Sequence, residues 1–207
     1  MNATLARLMR LPRTLPRVLS DRFIAPRLLR SSGVRAGPGV MMAGRPTLRV
    51  APGSTITLGA NVKLFSRATS NPLRIDAPCT FSTLKPGAKI VIGSDSALSG
   101  TVICCAESVV IGERVPVGSN CVLVDTDFHP LSPGARRRHP TEGAKSRTIV
   151  VEDDVFIGTQ SIILKGTTLG RGCVVGAGAV VSGEFPPYSV IVGNPAQAIK
   201  TLSEEQT

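Results

Sequence analysis

His129 and the two aspartates just before it are the residues of this 207-residue chain best placed to move a proton. Asp125, Asp127 and His129 lie within the segment Asp-Thr-Asp-Phe-His-Pro. An imidazole exchanges its proton near neutral pH, and a neighbouring carboxylate can hold one of its tautomers. The second histidine, His139, lies beside three arginines, and for it we predict a solvated loop position. The segment is therefore a candidate site for acid–base chemistry.

The five cysteines form neither a disulfide framework nor a metal-binding pair. Their number is odd, and no two of them are spaced as Cys-x-x-Cys. Such a set predicts reduced thiols in a reducing compartment, and we expect a cytoplasmic protein. Cys121 and Cys173 fall in positions where small apolar residues recur, which predicts that they are core residues.

A period of six residues organises the second half of the chain. One slot of the repeat holds an aliphatic residue each time, and the slot four places later holds a small or modest one. The aliphatic slot is occupied by Val151, Ile157, Ile163, Leu169, Val175 and Val181, and the second slot by Val155, Ser161, Thr167, Cys173 and Ala179. A helix would space its apolar residues by three and four, so this period predicts hexapeptide β-helix repeats.

Asp127 stands out because it falls in the small slot of an earlier stretch of the repeat. Val115 and Cys121 occupy the same slot before it. A carboxylate among small uncharged groups is costly unless it is paired or hydrogen-bonded. Asp127 is therefore our first choice as the partner of His129, ahead of Asp125.

The repeat stops after Phe128 and resumes at Val151. An excursion of this length inside a compact solenoid is typical of a functional loop. We predict a protruding loop over residues 129–148, in which Arg136, Arg137 and Arg138 are candidate contacts for substrate.

Charge divides the chain into an arm and a nearly neutral remainder. Residues 1–50 hold ten arginines and one acid, Asp21, so that most of the formal charge of +10 lies there. We predict a basic arm and linker over residues 1–47, partly helical in residues 1–30. The repeat domain is predicted over residues 48–195 and a short C-terminal helix over residues 196–207. No apolar run approaches the roughly 20 residues that cross a bilayer.

The basic arm could have one of several roles. It could be a solvated face, bind an anionic membrane surface through residues 1–30, or dock onto an acidic partner. If it binds lipid, the protein would be peripheral on the inner membrane face. Single-stranded nucleic acid is normally bound on aromatic side chains, and the chain has no Trp and one Tyr, which argues against nucleic acid.

Three stretches together resemble one family. They are Asp125-Thr-Asp-Phe-His-Pro130 before the loop, Val155-Phe-Ile-Gly-Thr after it, and Ile191-Val-Gly-Asn-Pro-Ala-Gln-Ala-Ile199 near the end. In these motifs the chain resembles the hexapeptide-repeat acyltransferases, and among them the sugar and polysaccharide O-acetyltransferases related to galactoside acetyltransferase. The resemblance implies an all-β fold, a left-handed parallel β-helix of triangular section. It also implies a homotrimer with active sites between subunits.

The resemblance further implies transfer of an acetyl group from acetyl-CoA to a hydroxyl of a sugar or polysaccharide precursor. His129 matches the catalytic histidine of the family, and would take the hydroxyl proton and then protonate the leaving thiolate. Asp127 or Asp125 would hold the imidazole. No acyl-enzyme is required, so no cysteine is assigned as a nucleophile, and no metal is expected.

Residues of the last coils match positions that contact CoA in the family. They are Phe156, Gly158, Thr159, Ala177, Ser182, Asn194, Pro195 and Lys200. Asn194, Pro195 and Lys200 would lie near the nucleotide end. Gly183 and Gln197 stand where relatives often carry basic residues for the phosphates, so Lys200, Arg171 or the loop arginines would have to supply that charge.

Two other functions stay open, and a third is disfavoured. An amino sugar or serine could replace the sugar hydroxyl as acceptor. The chain could instead be a non-catalytic hexapeptide scaffold, which replacement of His129 would leave unaffected. A carbonic anhydrase of this fold is disfavoured, because three histidines bind its zinc and this chain has two.

Overall fold

A computed structural model describes residues 27–203. Its chain winds through seven coils of a parallel β-helix, as the six-residue period predicts, and the section is triangular, as the resemblance implies. The first strand of each coil joins a seven-stranded sheet A, the second an eight-stranded sheet B, and the third a six-stranded sheet C. Residues 1–26 of the arm, which is predicted to be partly helical, lie outside the described residues. Residues 204–207 also lie outside them.

The strands are short because the chain turns after each side of the triangle. The first three coils contain β1 (Val34–Ala36), β2 (Met41–Ala43), β3 (Thr47–Arg49), β4 (Thr55–Leu58), β5 (Lys63–Phe65), β6 (Thr80–Thr83), β7 (Lys89–Ile92), β8 (Ala97–Ser99) and β9 (Val102–Cys105). The fourth and fifth contain β10 (Ser108–Ile111), β11 (Pro116–Ser119), β12 (Val122–Val124), β13 (Ile149–Val151), β14 (Phe156–Ile157) and β15 (Ile162–Leu164). The last contain β16 (Thr168–Leu169), β17 (Val174–Val175), β18 (Val180–Val181), β19 (Glu184–Phe185), β20 (Ser189–Gly193) and β21 (Ala196–Thr201).

Both slots of the repeat point into the prism. The residues of the aliphatic slot and of the small slot are all buried, including Cys121 and Cys173. Neighbouring coils stack these positions in register, as in the pairing of Leu123 with Ile163. Adjacent strands lie about 4.8 Å apart, so the buried side chains form one continuous column along the axis.

The β-helix begins earlier than the sequence predicts. The first strand starts at Val34, and residues 34–49 form the first coil, although their content of Gly, Arg and Pro predicts a linker up to residue 47. Residues 27–31 are helical, and Leu29 is fully buried against this coil. Gly and Pro also suit the tight corners of a coil, which explains the error. The predicted boundary at residue 48 is therefore corrected to Val34.

The C-terminal segment is a strand, and the predicted helix over residues 196–207 is wrong for the part that the structure describes. β21 pairs antiparallel with β20, from Ala196 opposite Gly193 to Thr201 opposite Ser189. The last coil would otherwise leave the edge of β20 unpaired. A short segment is stabilised more by hydrogen bonds to this edge than by forming an isolated helix of one or two turns.

Two of the three edges of the prism carry an insertion. The edge between sheets B and C, the B–C edge, carries loop 66–79 between β5 and β6. The edge between sheets C and A, the C–A edge, carries loop 125–148 between β12 and β13. The second insertion contains the predicted loop 129–148 and a short helix, α1 (Pro133–Arg138). No helix within residues 27–203 is long and apolar enough to cross a bilayer.

Candidate active site

Asp125 is the carboxylate that faces the interior. Its side chain is fully buried. Oδ1 accepts the N–H of Ala106 at 2.7 Å, and Oδ2 accepts those of Glu107 at 2.8 Å and Ser108 at 2.9 Å. The chain leaves the C–A edge here, so the corner of the preceding coil would have unpaired N–H groups without this carboxylate. Asp125 therefore caps the corner at residues 106–108, one coil before the corner from which the loop departs.

Asp127 lies outside the core, which corrects its predicted place in the small slot. Its side chain is partly exposed, and its Oδ1 lies 2.7 Å from Nζ of Lys165. Asp127 is four residues after Leu123, as the small slot requires. The chain has already left the coil after β12, however, so the side chain of Asp127 does not point inward. Lys165 lies at the same C–A edge, one coil further on. The sequence required a partner for this carboxylate, but it gave no reason to choose Lys165.

Backbone pairing closes the neck of loop 125–148. Thr126 and Ser146 form an isolated antiparallel bridge. Asp127 donates its N–H to the carbonyl of Lys145 at 3.0 Å, and Arg147 donates to the carbonyl of Asp125 at 2.9 Å. These bonds fix both ends of the loop relative to the β-helix.

A sharp turn at Phe128 directs the chain into His129. Phe128 has a left-handed backbone with φ 60°, and His129 donates its N–H to the carbonyl of Asp127 at 2.7 Å. A bulky residue rarely adopts this conformation, and such strain is concentrated at functional sites. However, eight other non-glycine residues of the described chain share this conformation, so the turn explains how the chain leaves the coil and carries no functional argument.

His129 is exposed, and its Nδ1 lies 2.6 Å from the carbonyl oxygen of Pro140. A carbonyl oxygen can only accept a hydrogen bond, so in the neutral ring Nδ1 carries the hydrogen and Nε2 keeps its lone pair. The imidazole is thus held in the tautomer that a base acting through Nε2 requires. The sequence predicts that Asp127 or Asp125 holds the ring. The backbone of Pro140 does so instead, since both carboxylates have other partners.

The three arginines of α1 differ in their contacts. Arg136 Nη1 donates to the carbonyl oxygens of Pro130 at 3.0 Å and Leu131 at 2.5 Å, which ties the helix to the start of the loop. Arg137 and Arg138 are exposed at the end of the helix. Arg136 therefore stabilises the loop, while the other two are the available cations. Outside the helix, the exposed His139 lies 3.3 Å from Glu142.

Four residues that match CoA-contacting positions lie together at the B–C edge and on the adjoining face of sheet B. Phe156 projects from that face with 46% of its surface exposed. Gly158 and Thr159 follow at the corner, and Ala177 occupies the same corner one coil later. A Cβ at Gly158 would lie 2.6 Å from the backbone nitrogen of Ala177, so the coils can approach this closely only with glycine there. The result is an open edge lined by backbone.

The remaining predicted CoA residues are spread over the last two coils. Asn194 and Pro195 form the turn between β20 and β21, at the B–C end of the strands. Lys200 lies opposite Val190, about 15 Å along the strand from that turn. Ser182 follows β18 at the C–A edge, one coil after Lys165. Within one chain, Lys200 and Ser182 are therefore apart from the others.

His129 and the B–C edge lie on different edges of one chain. Loop 125–148 is tied to the C–A edge by the pair of Asp127 and Lys165 and by a bond of 3.0 Å from Thr148 Oγ1 to Glu107. Sheet C separates the two edges by about 15 Å, the length of one strand and its corners. A site that uses both edges therefore needs two copies of the chain.

The thiols are poorly suited to act as nucleophiles. Cys79, Cys105, Cys121 and Cys173 are buried, and Cys104 is partly exposed. Burial raises the pKa of Cys105 to about 12, helped by the nearby charge of Asp125, and raises the pKa of Cys121 to about 11. The nucleophilic form of cysteine is the thiolate, so these groups are inert at neutral pH.

Comparison with known proteins identifies the repeat. A family model, the hexapeptide repeat of succinyl-transferase, matches residues 148–182. A Schizosaccharomyces pombe protein named as an acetyltransferase is 40% identical over 97 residues, which are 47% of this chain and 45% of the relative. The 2,3,4,5-tetrahydropyridine-2,6-dicarboxylate N-acetyltransferase of Staphylococcus aureus is 35% identical over 95 residues, 46% of this chain and 34% of the relative. The chain spans less than half the length of these relatives.

Two solved structures share the architecture. AntD, an N-acyltransferase from Bacillus cereus in complex with dTDP and 3-hydroxybutyryl-CoA, matches with a TM-score of 0.67 at 21% identity, over 87% of this chain and 90% of AntD. A hexapeptide-repeat acetyltransferase from Vibrio cholerae, complexed with acetyl-CoA, matches with a TM-score of 0.59 at 19% identity, over 88% and 79%. The fold is the left-handed parallel β-helix, as predicted. Residues 148–182 carry the hexapeptide repeat, and the chain is similar to proteins named as acetyltransferases, in agreement with the predicted resemblance.

Proposed function

We propose that the protein is a CoA-dependent acyltransferase that moves an acetyl group from acetyl-CoA to a hydroxyl of a saccharide. The observation that carries the proposal is the distance of 2.6 Å between Nδ1 of the exposed His129 and the Pro140 carbonyl oxygen, from which we assign the hydrogen to Nδ1 and the lone pair to Nε2. A hydroxyl is a weak nucleophile until a base takes its proton. An exposed Nε2 at the neck of a fixed loop can act as that base.

The reaction is a direct displacement. Nε2 of His129 takes the hydroxyl proton while the oxygen forms a bond to the thioester carbon. When the tetrahedral intermediate collapses, the C–S bond breaks and the imidazolium returns the proton to the CoA sulfur. The raised pKa values of Cys105 and Cys121 agree with a mechanism that has no acyl-enzyme.

Acetyl-CoA is proposed to lie along the B–C edge of the last three coils. AntD and the Vibrio cholerae acetyltransferase, which share the fold, hold an acyl-CoA. Here the edge offers the exposed ring of Phe156, the hydroxyl of the partly exposed Thr159 and the exposed residue Ala177. Loop 125–148 leaves the prism just before the coil of Thr159. These features support our proposal that the thioester lies at Thr159 and the nucleotide at the turn of Asn194 and Pro195.

The proposed site joins two copies of the chain. His129 of one copy would meet the B–C edge of the next, since one chain holds these groups on different edges. Lys165 and Ser182, at the C–A edge, would then belong to the histidine side of the site. Repeated contacts between unlike edges close into a cyclic assembly, and the resemblance to the hexapeptide-repeat acyltransferases implies that this assembly is a homotrimer.

An amine is the second candidate acceptor. AntD and the Staphylococcus aureus relative are named as N-acyltransferases. An amine also loses a proton when it is acylated, so His129 would have the same role. Acceptor panels that contain matched hydroxyl and amino sugars separate the two possibilities.

The direct test is acceptor-dependent release of CoA from acetyl-CoA. His129→Ala should lower the rate by about 10²–10⁴-fold, the usual contribution of a positioned base. His139→Ala is the matched control, because this histidine is exposed in the same loop, and it should stay near the wild-type rate. Equal rates in the two variants would reject His129 as the base. The absence of both CoA binding and CoA release would instead favour a scaffold.

A further inference from the structure

Loop 66–79 is an insertion that the proposed chemistry does not use. It replaces the corner between β5 and β6 and covers the B–C edge of the third and fourth coils. Ile75 is only 4% exposed and packs against the corner at Gly100, where a Cβ would lie 2.5 Å from Ile75 Cγ2. The loop is therefore built onto the edge, and it ends just before the coil of Thr159.

Side chains of the coils hold the loop in a fixed shape. Asn120 Oδ1 accepts the N–H of Asp76 at 3.0 Å, and Asn120 Nδ2 donates to the carbonyl of Arg74 at 3.4 Å. Asn71 Nδ2 donates to Ser99 Oγ at 3.2 Å. The loop contains no strand, yet its tip is tied to two successive coils.

The same hydrogen bonds lead to the proposed thioester position. Ser119, beside Asn120, has its Oγ 2.6 Å from Thr159 Oγ1, and Thr159 Oγ1 donates to the carbonyl of Ser119 at 2.8 Å. Coils are spaced by about 4.8 Å, so the backbone of Arg74 lies within about 10 Å of Thr159. The loop tip and the thioester position are thus neighbours on one edge.

An acceptor must reach the thioester carbon from a direction that the donor leaves open. In the proposed function acetyl-CoA occupies the B–C edge from Thr159 to Asn194. The opposite direction along this edge leads to the third and fourth coils, which loop 66–79 covers. The loop is therefore positioned to contact the acceptor.

Arg74 would favour an anionic group at the part of the acceptor that contacts loop 66–79. Its backbone is left-handed with φ 61°, and its side chain is exposed. Among residues 27–203, the ion pairs of the structure do not involve its guanidinium. A guanidinium presents parallel N–H donors that match the two oxygens of a carboxylate or phosphate.

We infer that loop 66–79 forms one wall of the acceptor site and that Arg74 binds an oxyanion carried by the acceptor saccharide. The inference rests on the proposed function, because it takes Thr159 as the position of the thioester. Sugar phosphates and uronic acids both carry such a group, and binding experiments distinguish them.

The test is calorimetric titration of the CoA-saturated protein with glucose 1-phosphate, glucuronate and glucose. At least one anionic sugar should bind about tenfold or more tightly than glucose, as a charge-assisted pair would allow. Arg74→Asn removes the charge but tolerates the left-handed backbone, and it should abolish the preference. Arg74→Lys keeps the charge without the paired donors and should retain part of it. Arg35→Gln, an exposed change on sheet A, is the matched control and should behave as wild type.

Each outcome decides the inference. Preference for glucose 1-phosphate alone would assign a phosphate, and preference for glucuronate alone a carboxylate. Equal binding of all three sugars, no binding of any, or an unchanged preference in Arg74→Asn would overturn the inference. CoA binding and His129-dependent release are measured on the same samples. If they persist, only the inference fails, and if the wild type lacks both, the proposed function itself fails.

Discussion

Asp125 is expected to matter more for stability than Asp127. Asp125→Asn should lower the free energy of unfolding by about 1–3 kcal/mol, because three backbone N–H groups lose the charged acceptor that the buried Asp125 provides. Asp127→Asn is the matched control. It breaks a partly exposed ion pair with Lys165 and should cost at most about 1 kcal/mol. Urea denaturation of both variants measures the difference, and a larger loss for Asp127→Asn would contradict the two assignments.

The buried thiols should resist chemical labelling. At neutral pH a thiol reagent should label at most Cys104 in the native protein, because the other four sulfurs are buried. All five should react after denaturation. Mass spectrometry identifies the labelled residues, and rapid labelling of native Cys105 or Cys121 would be inconsistent with the described core.

The same thiols should limit stability in alkali. Cys105 and Cys121 have pKa values raised by burial from 9.0 to about 12 and about 11, so the native state holds these protons more tightly than the unfolded state. Their stabilising contribution is complete below pH 9 and is lost as the pH rises through about 11 and 12. Unfolding free energies measured from pH 8 to 11 should fall. Replacing both cysteines with alanine should flatten the decline, and an identical decline in that variant would contradict the explanation.

At the residue scale, sequence reasoning located the segment around His129 but not the partners of its side chains. The requirement that a carboxylate there be paired follows from charge alone. Which carboxylate turns inward depends on where the chain leaves the coil, and the repeat does not contain that information. The Pro140 carbonyl could not be predicted either, because it approaches His129 only when the loop has closed at its neck.

Asn120 should control the order of loop 66–79. Asn120→Ala removes both side-chain bonds to the loop and should lower stability by about 1–2 kcal/mol. Trypsin should then cut the loop at Arg67 or Arg74 faster than in the wild type. Asn61→Ala is the matched control, because Asn61 is also left-handed, with φ 57°, but its side chain bonds to Asp95 instead. Equal cleavage in the two variants would show that Asn120 does not hold the loop.

At the element scale, the regular coils and the loop that interrupts them after β12 could be predicted from the sequence, whereas loop 66–79 and β21 could not. The period of six arises because two positions in every six residues point into the core. The strands from β13 to β18 could therefore be predicted from it. Loop 66–79 could not be recognised as an insertion in the sequence, because Ile75 within it loosely fits the aliphatic slot of the repeat. β21 forms because the last coil offers an open edge, a feature that no local pattern in residues 196–201 reveals.

At the scale of the whole molecule, the two insertions lie on different edges at neighbouring heights. Loop 125–148 leaves the C–A edge after the fourth coil, and loop 66–79 covers the B–C edge down to the same coil. In a cyclic assembly of parallel copies, the histidine loop of one chain would face the acceptor wall of the next. The period of six could not predict this, because it describes one chain and carries no information on contacts between copies.

Complementation between two inactive variants tests the shared site most directly. One variant carries His129→Ala, and the other carries Ala177→Trp, which places a bulky ring on the exposed B–C edge. The two are co-expressed with different affinity tags, and only mixed oligomers are assayed for CoA release. The account predicts activity of about a third of wild type, because in every mixed cyclic trimer one of the three contacts joins an intact histidine loop to an intact edge. No recovery in verified mixed oligomers would contradict a site formed between copies.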